Sequence, residues 1–331
     1  GKKGAYRDLF YSETPLTQEV ILAVCANEKS GIFGEQNWWF NARSYGLCWS
    51  LVRSFVHTYL KQDGTPCPAA ADYAVKSFAE EMEGRDLRLE QTVRGRNFLW
   101  DGKTAVADIK NLSLTGYQVI KYTLDESKYD GGAKNINSIP LIRYAEVLLN
   151  YAEAKAELGE FSETIWNATI KLLRERAGVD GTMPSAYDPY MAEYFLNTTT
   201  DMAILEIRRE RGIELLLENC RWDDDMRWGM GRLLERPWYG VYVGELGKVY
   251  DMDGDGSGDV CFVRENPPVT EPGVIYRVLG SDYALTDGDS GYIECYIRMN
   301  RRWDDKKYVR PVPTTALNDN PALGQNPGWT K

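Results

Sequence analysis

The stretch that decides the fold is SIPLIRYAEVLLNYAEAKAELGEFSETIWNATIKLLRERAG, residues 138–178. It reads as two helices joined by a very short turn. Ser138 is a good N-cap, and Pro140 is tolerated in a first turn, where its missing N–H has no intrahelical partner anyway. Leu141, Tyr144, Val147, Leu148, Tyr151, Ala152 and Leu158 then recur at helical spacing. Ala152, Ala154 and Ala156 are small enough for a neighbouring helix to approach closely. Gly159 supplies the left-handed position that ends the first helix. Ser162 caps a second helix carrying Ile165, Trp166, Ile170 and Leu173, which stops at Gly178. Such a pair is a tetratricopeptide-like unit. It cannot bury its apolar face alone and needs stacked neighbours.

A second helical block supports this reading. Thr200-Asp201 opens a helix with Ile204, Ile207, Ile213, Leu215, Leu216 and Leu217, and Trp222 to Trp228 follows closely. The expected helices are 139–158, 163–177, 201–218 and 222–233, arranged as two antiparallel pairs. Glu206, Arg208, Arg209, Glu210, Arg211, Glu214 and Glu218 read mostly as a solvated face, with i,i+4 pairs contributing tenths of a kcal/mol each. Arg143, Glu146, Arg211, Glu218, Arg221 and Arg227 are expected to pair where the two blocks meet.

These residues carry a resemblance. Arg143 to Ala154, RYAEVLLNYAEA, resembles a helix signature of the SusD/RagB family, the outer-membrane nutrient-binding lipoproteins of Bacteroidetes. Glu210-Arg211 through Leu215, Glu218 to Arg221 and Asp225 to Trp228 are similar to that family's next signature. Gly84-Arg85-Asp86-Leu87-Arg88-Leu89 resembles its Asn-Arg-Asp-Pro-Arg-Leu segment, with Gly and Leu in place of Asn and Pro. Gly116-Tyr117 through Lys121-Tyr122 and the tail Gln325-Asn326-Pro327-Gly328-Trp329 also match. Together they span most of the chain.

The resemblance implies a mainly α, SusD-like fold over residues 1–331, with tetratricopeptide-like helices at 138–234 and a large component of irregular loops and short strands. It implies a glycan-binding protein on the extracellular face of the outer membrane, serving a SusC-like TonB-dependent transporter. Family members carry a signal peptide, a lipidated Cys and a helical N-terminal half. Gly1-Lys2-Lys3 is followed by no apolar signal region. The expectation is therefore the C-terminal part of a longer protein, anchored through a Cys not present here and partnered by its own missing N-terminal half. A repeat stack cut in two exposes an apolar face unless the other part stays associated.

Composition narrows the function classes. The net charge is −10 and the basic residues show no clustering, which argues against nucleic acid and against docking on an anionic membrane. No run of apolar residues is long enough to span a bilayer. Ten Trp and twenty-one Tyr suit carbohydrate binding, and equally an ordinary core. Cys25, Cys48, Cys67, Cys220, Cys261 and Cys295 lack C-x-x-C spacing, so no zinc site is indicated and free, mostly buried thiols are expected. His57, the only histidine, is expected to be a packed or surface residue, which leaves no Ser-His-Asp or Cys-His catalysis.

Elsewhere, Asp72 to Met82 reads as a helix, Leu89 to Val93 and Tyr117 to Tyr122 as strands, and 236–331 as loops and short strands. Two constellations carry chemistry. Phe33 to Trp49 holds Asn37, Trp38, Trp39, Asn41, Arg43, Tyr45 and Trp49 without a clean period. Aromatic faces cover the C–H faces of a sugar, and amides and charges satisfy its hydroxyls. The resemblance also places ligand contacts in this part of the chain. Trp38 and Trp39 read equally well as core wedges.

The second constellation is Asp251-Met252-Asp253-Gly254-Asp255-Gly256-Ser257-Gly258-Asp259. Carboxylates at alternate positions with Gly at the sixth match the start of an EF-hand-type loop. Asp251, Asp253, Asp255, the Ser257 carbonyl and Asp259 are the candidate ligands of a structural calcium. The twelfth position is Phe262 rather than Glu, so a solvated acidic hairpin is the competing reading. No cofactor is required.

Three functions remain open. Glycan capture without catalysis is the first. A repeat scaffold for protein or peptide ligands is the alternative. A glycoside hydrolase using Asp223, Asp224 and Asp225 is the third, but consecutive helical residues point about 100° apart and do not converge on one bond.

Overall fold

Asp201 accepts a hydrogen bond from the Ile204 N–H at 3.0 Å and so starts the helix Met202–Glu214. This helix runs between two apolar clusters. Leu205 and Ile213 belong to the larger, with Phe55, Tyr59, Leu89, Val93, Tyr117 and Phe195. Ile207 belongs to the smaller, with Ala145, Leu149, Ala152, Trp166, Ile170 and Leu173. A helix with cores on two sides has little room for a wet face. The face expected to be solvated is in fact buried: Glu210 and Glu214 are 0% exposed and Arg209 is 2% exposed.

The computed structural model describes residues 4–42, 47–67 and 77–330. The helix expected at 139–158 begins only at Tyr144 and ends at Glu157. Ile139–Arg143 is instead a strand, β4, paired antiparallel with β1, Val20–Val24. The residue before a proline is pushed towards extended backbone, and Ile139 precedes Pro140. Arg143 stays extended, and the Tyr144 N–H donates to the Glu19 carbonyl at 2.8 Å. The helix expected at 163–177 is broken into Glu163–Ala168 and Ile170–Arg176. The break falls at Thr169, whose hydroxyl donates to the Ile165 carbonyl at 2.6 Å. Leu217 and Asn219 have φ of +62° and +66°, which closes the segment expected to run to 218. Arg221–Arg227 is followed by a 3-10 turn, Gly231–Glu235, rather than one helix to 233.

Leu89 to Val93 is not a strand. Leu87–Thr92 is a helix, because Asp86 caps it by accepting from the Arg88 N–H at 2.8 Å. Tyr117 to Tyr122 forms only isolated bridges, Gln118 with Ser50 and Val119 with Val93. Phe78–Met82 is helical, with a capping box between Ser77 and Glu80. The first part of the helix expected from Asp72 lies outside the described residues.

The C-terminal region is mostly irregular with short strands, as expected, but also carries a short helix, Thr314–Asp319. It also holds two three-stranded sheets. One orders β5 (Trp238–Val243), β10 (Gly291–Cys295) and β9 (Tyr283–Leu285), all antiparallel. The other orders β6 (Val249–Tyr250), β7 (Val260–Val263) and β8 (Ile275–Val278), with β7 and β8 parallel. A small hairpin, β2 (Leu99–Trp100) with β3 (Lys103–Thr104), stands apart. The six cysteines are free thiols, of which Cys67, Cys261 and Cys295 are buried. No helix among the described residues is long and apolar enough to cross a membrane.

Buried ion pairs knit these pieces together. Arg88 contacts Asp86 at 2.6 Å and Glu210 and Glu214 at 3.0 Å each. Arg143 reaches Glu214 at 2.8 Å, Glu19 at 2.9 Å and Glu218 at 2.7 Å. Arg174 holds Glu206 and Glu210, and Arg176 holds Glu214. Arg211 and Arg227 also pair across the two blocks as expected, both with Glu153, whereas Arg221 pairs within its own helix with Asp225 and Glu146 makes no ion pair among the described residues. Burial alone would raise the pKa of Glu214, yet the guanidinium groups of Arg176, Arg143 and Arg88 outweigh it and hold the carboxyl well below its usual value. Lys121, buried against Glu218, is lowered to about 8 by desolvation.

Removing one partner from such a cluster leaves a buried charge unpaired. Glu214→Gln should cost about 3–5 kcal/mol of unfolding free energy, and Asp289→Asn, from the exposed Arg264 pair, less than about 1 kcal/mol. Denaturant titration of both variants checks this. The folded pKa values of Glu210 and Glu214 lie below 4.5, so their stabilisation is complete above that pH and is lost as pH falls through the folded values. Asp225 runs the other way. Burial raises it from 3.8 to about 6, so its cost appears as pH rises across that window. A melting temperature that drops steeply below pH 4.5 in the parent, and less steeply in Glu214→Gln, is the expected result.

Candidate functional site

The aromatic stretch, which showed no clean period in sequence, contains a short helix, Gln36–Asn41. Its anchor is Asn37, which is 0% exposed. The Asn37 amide donates to the Leu124 carbonyl at 2.8 Å and the Asp130 carboxylate at 3.2 Å. Its oxygen accepts from the Leu124 N–H and the Asn135 amide, each at 2.7 Å. With donors and acceptor occupied and no surface, Asn37 fixes the helix and is not a ligand contact.

Consecutive residues on this helix diverge. Trp38 turns into a cleft of about 650 Å3, which it lines with Asn41, Arg94, Trp100, Asp108 and Asp130. Trp39 is directed elsewhere. It is 37% exposed, and its indole N–H donates to Glu35 at 3.1 Å. Trp49 is exposed and packs beside Phe40, with ring centres 5.5 Å apart. Neither Trp39 nor Trp49 lines the cleft. Arg43 and Tyr45 lie outside the described residues. Of the expected contacts, the fold therefore brings together Trp38 and Asn41.

The rest of the lining comes from residues that the sequence reading passed over. Asp101 and Gly102 have φ of +49° and +76°, the paired left-handed backbone of a two-residue hairpin turn. This turn carries Trp100 on β2. Trp100 stacks on Phe98 at 6.0 Å and 29°. Arg94, buried and donating to the Ala105 carbonyl at 3.1 Å, lies over both rings, 4.7 Å from Phe98 and 5.6 Å from Trp100. The signal was available: Asp-Gly preceded by Phe98 and Trp100 at alternate positions is a hairpin pattern.

Two carboxylates of the cleft, Asp130 and Asp108, are acceptors held by amides. Asn41 donates to Asp130 at 3.3 Å. Burial raises the Asp130 carboxyl, and the donors Asn37 and Asn41 pull it back. Asp108 accepts from the Asn111 N–H at 3.0 Å and from its amide at 3.1 Å. Indole faces beside fixed carboxylates and an amide suit a ring compound rich in hydroxyls, and the volume is that of a small-ligand site.

His57 is buried elsewhere, 2.9 Å from Glu81, with its pKa lowered by burial. Asp224 is held by Arg211 and Arg227, and Asp225 by Arg221. Both carboxylates are thus taken up in ion pairs among the helices.

In the acidic loop, Asp251, Asp253 and Asp259 place carboxylate oxygens within 4.8 Å of one another, and Asp253 is buried. Asp255 falls outside that group and accepts instead from the Ser257 N–H at 2.7 Å. Gly256 has φ of +91°, as the sixth position of such a loop requires. Phe262 is buried in β7, so no bidentate ligand comes from the twelfth position. Burial, with the charges of Asp253, Asp251 and Asp255, pushes Asp259 up to about 6 against the pull of the Met252 N–H. A cation between these oxygens would relieve that repulsion.

Residues 18–329 match the SusD family. The fold is similar to that of a SusD-like protein from Bacteroides fragilis NCTC 9343, with a TM-score of 0.62 and 20% identity over 98% of this chain and 57% of that one. It is similar also to a SusD-like carbohydrate binding protein from the same strain, with a TM-score of 0.61 and 21% identity over 96% of this chain and 57% of that one. The chain thus spans little more than half the length of either relative. No curated protein sequence matches it.

Proposed function

The chain belongs to the SusD family, and on that premise we propose that it binds glycans at the cell surface without cleaving them. The observation that carries this reading is the cleft lined by Trp38 and by Trp100 of the hairpin, together with Asn41 and Asp130. A structural relative is described as carbohydrate binding, which supports the same chemistry. On this reading the protein is lipid-anchored to the extracellular face of the outer membrane and passes oligo- or polysaccharide to a SusC-like TonB-dependent transporter.

The chain is, on the same proposal, one domain forming the C-terminal part of a longer protein. The helix Tyr144–Glu157 buries Ala145, Leu149 and Ala152 yet exposes Tyr144, Val147 and Tyr151 at spacings of a second stripe. Ile21, Leu22, Leu141 and Ile142 of the β1–β4 ribbon are exposed as well. A helix apolar on two sides needs two neighbours. The N-terminal half supplies the second, stacked in tetratricopeptide fashion. A calcium ion in the Asp251–Asp259 loop is a further part of this reading, holding a surface loop rather than taking part in binding.

Each part has its measurement. In affinity gels cast with a panel of neutral polysaccharides, the protein should be retarded by at least one and release no new reducing ends from it. Trp38→Ala and Trp100→Ala should each weaken binding by about 1–3 kcal/mol, and Trp39→Ala and Trp49→Ala should leave it unchanged. Retardation lost equally in all four would remove the cleft from the site. A dye that reports exposed apolar surface should fluoresce strongly with residues 1–331 and weakly with a chain extended at its N-terminus; equal signals would contradict the docked half. Calcium should raise the melting temperature of the parent and leave that of Asp253→Asn unmoved, and an unchanged parent would exclude the ion.

A further inference from the structure

The expectation that basic residues nowhere cluster fails at one place. Arg298 to Arg310 holds Arg298, Arg301, Arg302, Lys306, Lys307 and Arg310 against Asp304 and Asp305, in a chain whose net charge is −10. The acidic total concealed it. The structure lays this segment along the surface after β10, where Trp303 is seated over Gly231 and its backbone N–H donates to Glu235 at 2.7 Å. Arg298 pairs with Asp282 and Lys306 with Asp304. Arg302, Lys307 and Arg310 are exposed and make no ion pair among the described residues.

Apolar side chains are exposed between and beside these cations. Ile297 is 39%, Met299 50% and Val309 50% exposed. Tyr296 and Trp238 are exposed as an edge-to-face pair with centres 5.6 Å apart. Arg301 lies 4.7 Å above the Trp238 ring and is fixed there by its bond to the Cys295 carbonyl at 2.9 Å. Among the described residues nothing covers these aliphatic side chains.

We propose that the strip from Tyr296 to Arg310, with Trp238 at its edge, is a docking surface for a layer of phosphate-bearing lipid headgroups. The composition selects this partner. Cations match the headgroup phosphates, Tyr and Trp rings settle at the headgroup level, and aliphatic side chains enter the acyl boundary beneath. A hydrated acidic polysaccharide matches the cations and offers nothing to Ile297, Met299 and Val309. The surface lies outside the Trp38–Trp100 cleft and shares no residue with its lining. The inference goes beyond the glycan reading and stands or falls without it.

The test is cosedimentation of the whole chain with vesicles of phosphatidylcholine alone or with added phosphatidylglycerol. The protein should pellet with the anionic vesicles only, and be released by raised salt. The triple variant Arg302→Glu, Lys307→Glu, Arg310→Glu should lose binding by at least about tenfold. The pair Ile297→Ser, Met299→Ser should weaken binding while keeping its salt dependence. These positions are solvent-exposed, so melting temperatures equal to the parent's show that the fold is intact. Binding to both vesicle types alike, to neither, or unchanged in the triple variant would overturn the proposal. Retention on a heparin or polyglutamate column without vesicle binding would overturn it too, and assign the strip to an acidic polymer. Glycan affinity gels should show all these variants behaving as the parent.

Discussion

Glu214 has no contact with solvent and is held by Arg88, Arg143 and Arg176. Those arginines come from three separate segments: the helix Leu87–Thr92, the end of β4 and the helix Ile170–Arg176. A buried carboxylate tolerates no vacancy among its partners, since an uncompensated charge in the interior costs several kcal/mol. The three segments must therefore reach the Met202–Glu214 helix together and in one register. Hydrophobic packing on either side of that helix supplies the bulk of the driving force, and the ionic cluster fixes where the three segments meet it.

The cleft inherits its position from this cluster. The helix that carries Arg88 ends at Thr92, and Val93 and Arg94 then bridge to Val119 and to the Gln118 carbonyl. Arg94 is the residue over which Phe98 and Trp100 arrange themselves. Across the cleft, Asn37 ties the Trp38 helix to Leu124, Asp130 and Asn135. Two aromatic walls drawn from distant parts of the chain are thus fixed by buried polar bonds. A rigid site of this kind gives up little entropy when a ligand arrives.

What the sequence made legible follows from range. The signatures around Arg88, Arg143 and Glu210–Glu214 could be recognised as ordered segments, and in space they are the ionic cluster. Their charges looked like a solvated face because period alone does not say how many sides of a helix are covered. The helix start at Ser138 was misplaced because a good cap followed by proline reads equally well as a strand leading to a later helix, and pairing with Val20–Val24 decides the matter. Leu89 to Val93 was misread because the cap on Asp86 outweighs a short apolar run. Half of the cleft was legible as an aromatic-rich segment. The rest was not, since Trp38 and Trp100 are brought together by tertiary bonds, although the Asp101-Gly102 turn announced its own hairpin. The cluster of Asp251, Asp253 and Asp259 was legible from spacing alone, because a turn of that kind is local.

The account rests on the cleft as the place where sugar is held. A crystal structure of the chain soaked with an oligosaccharide that retards it in gels would test this most directly. The account predicts a sugar ring against Trp38 or Trp100, with hydroxyls bonded to Asn41 and Asp130. A ring bound on another face, with both indoles untouched, would contradict it.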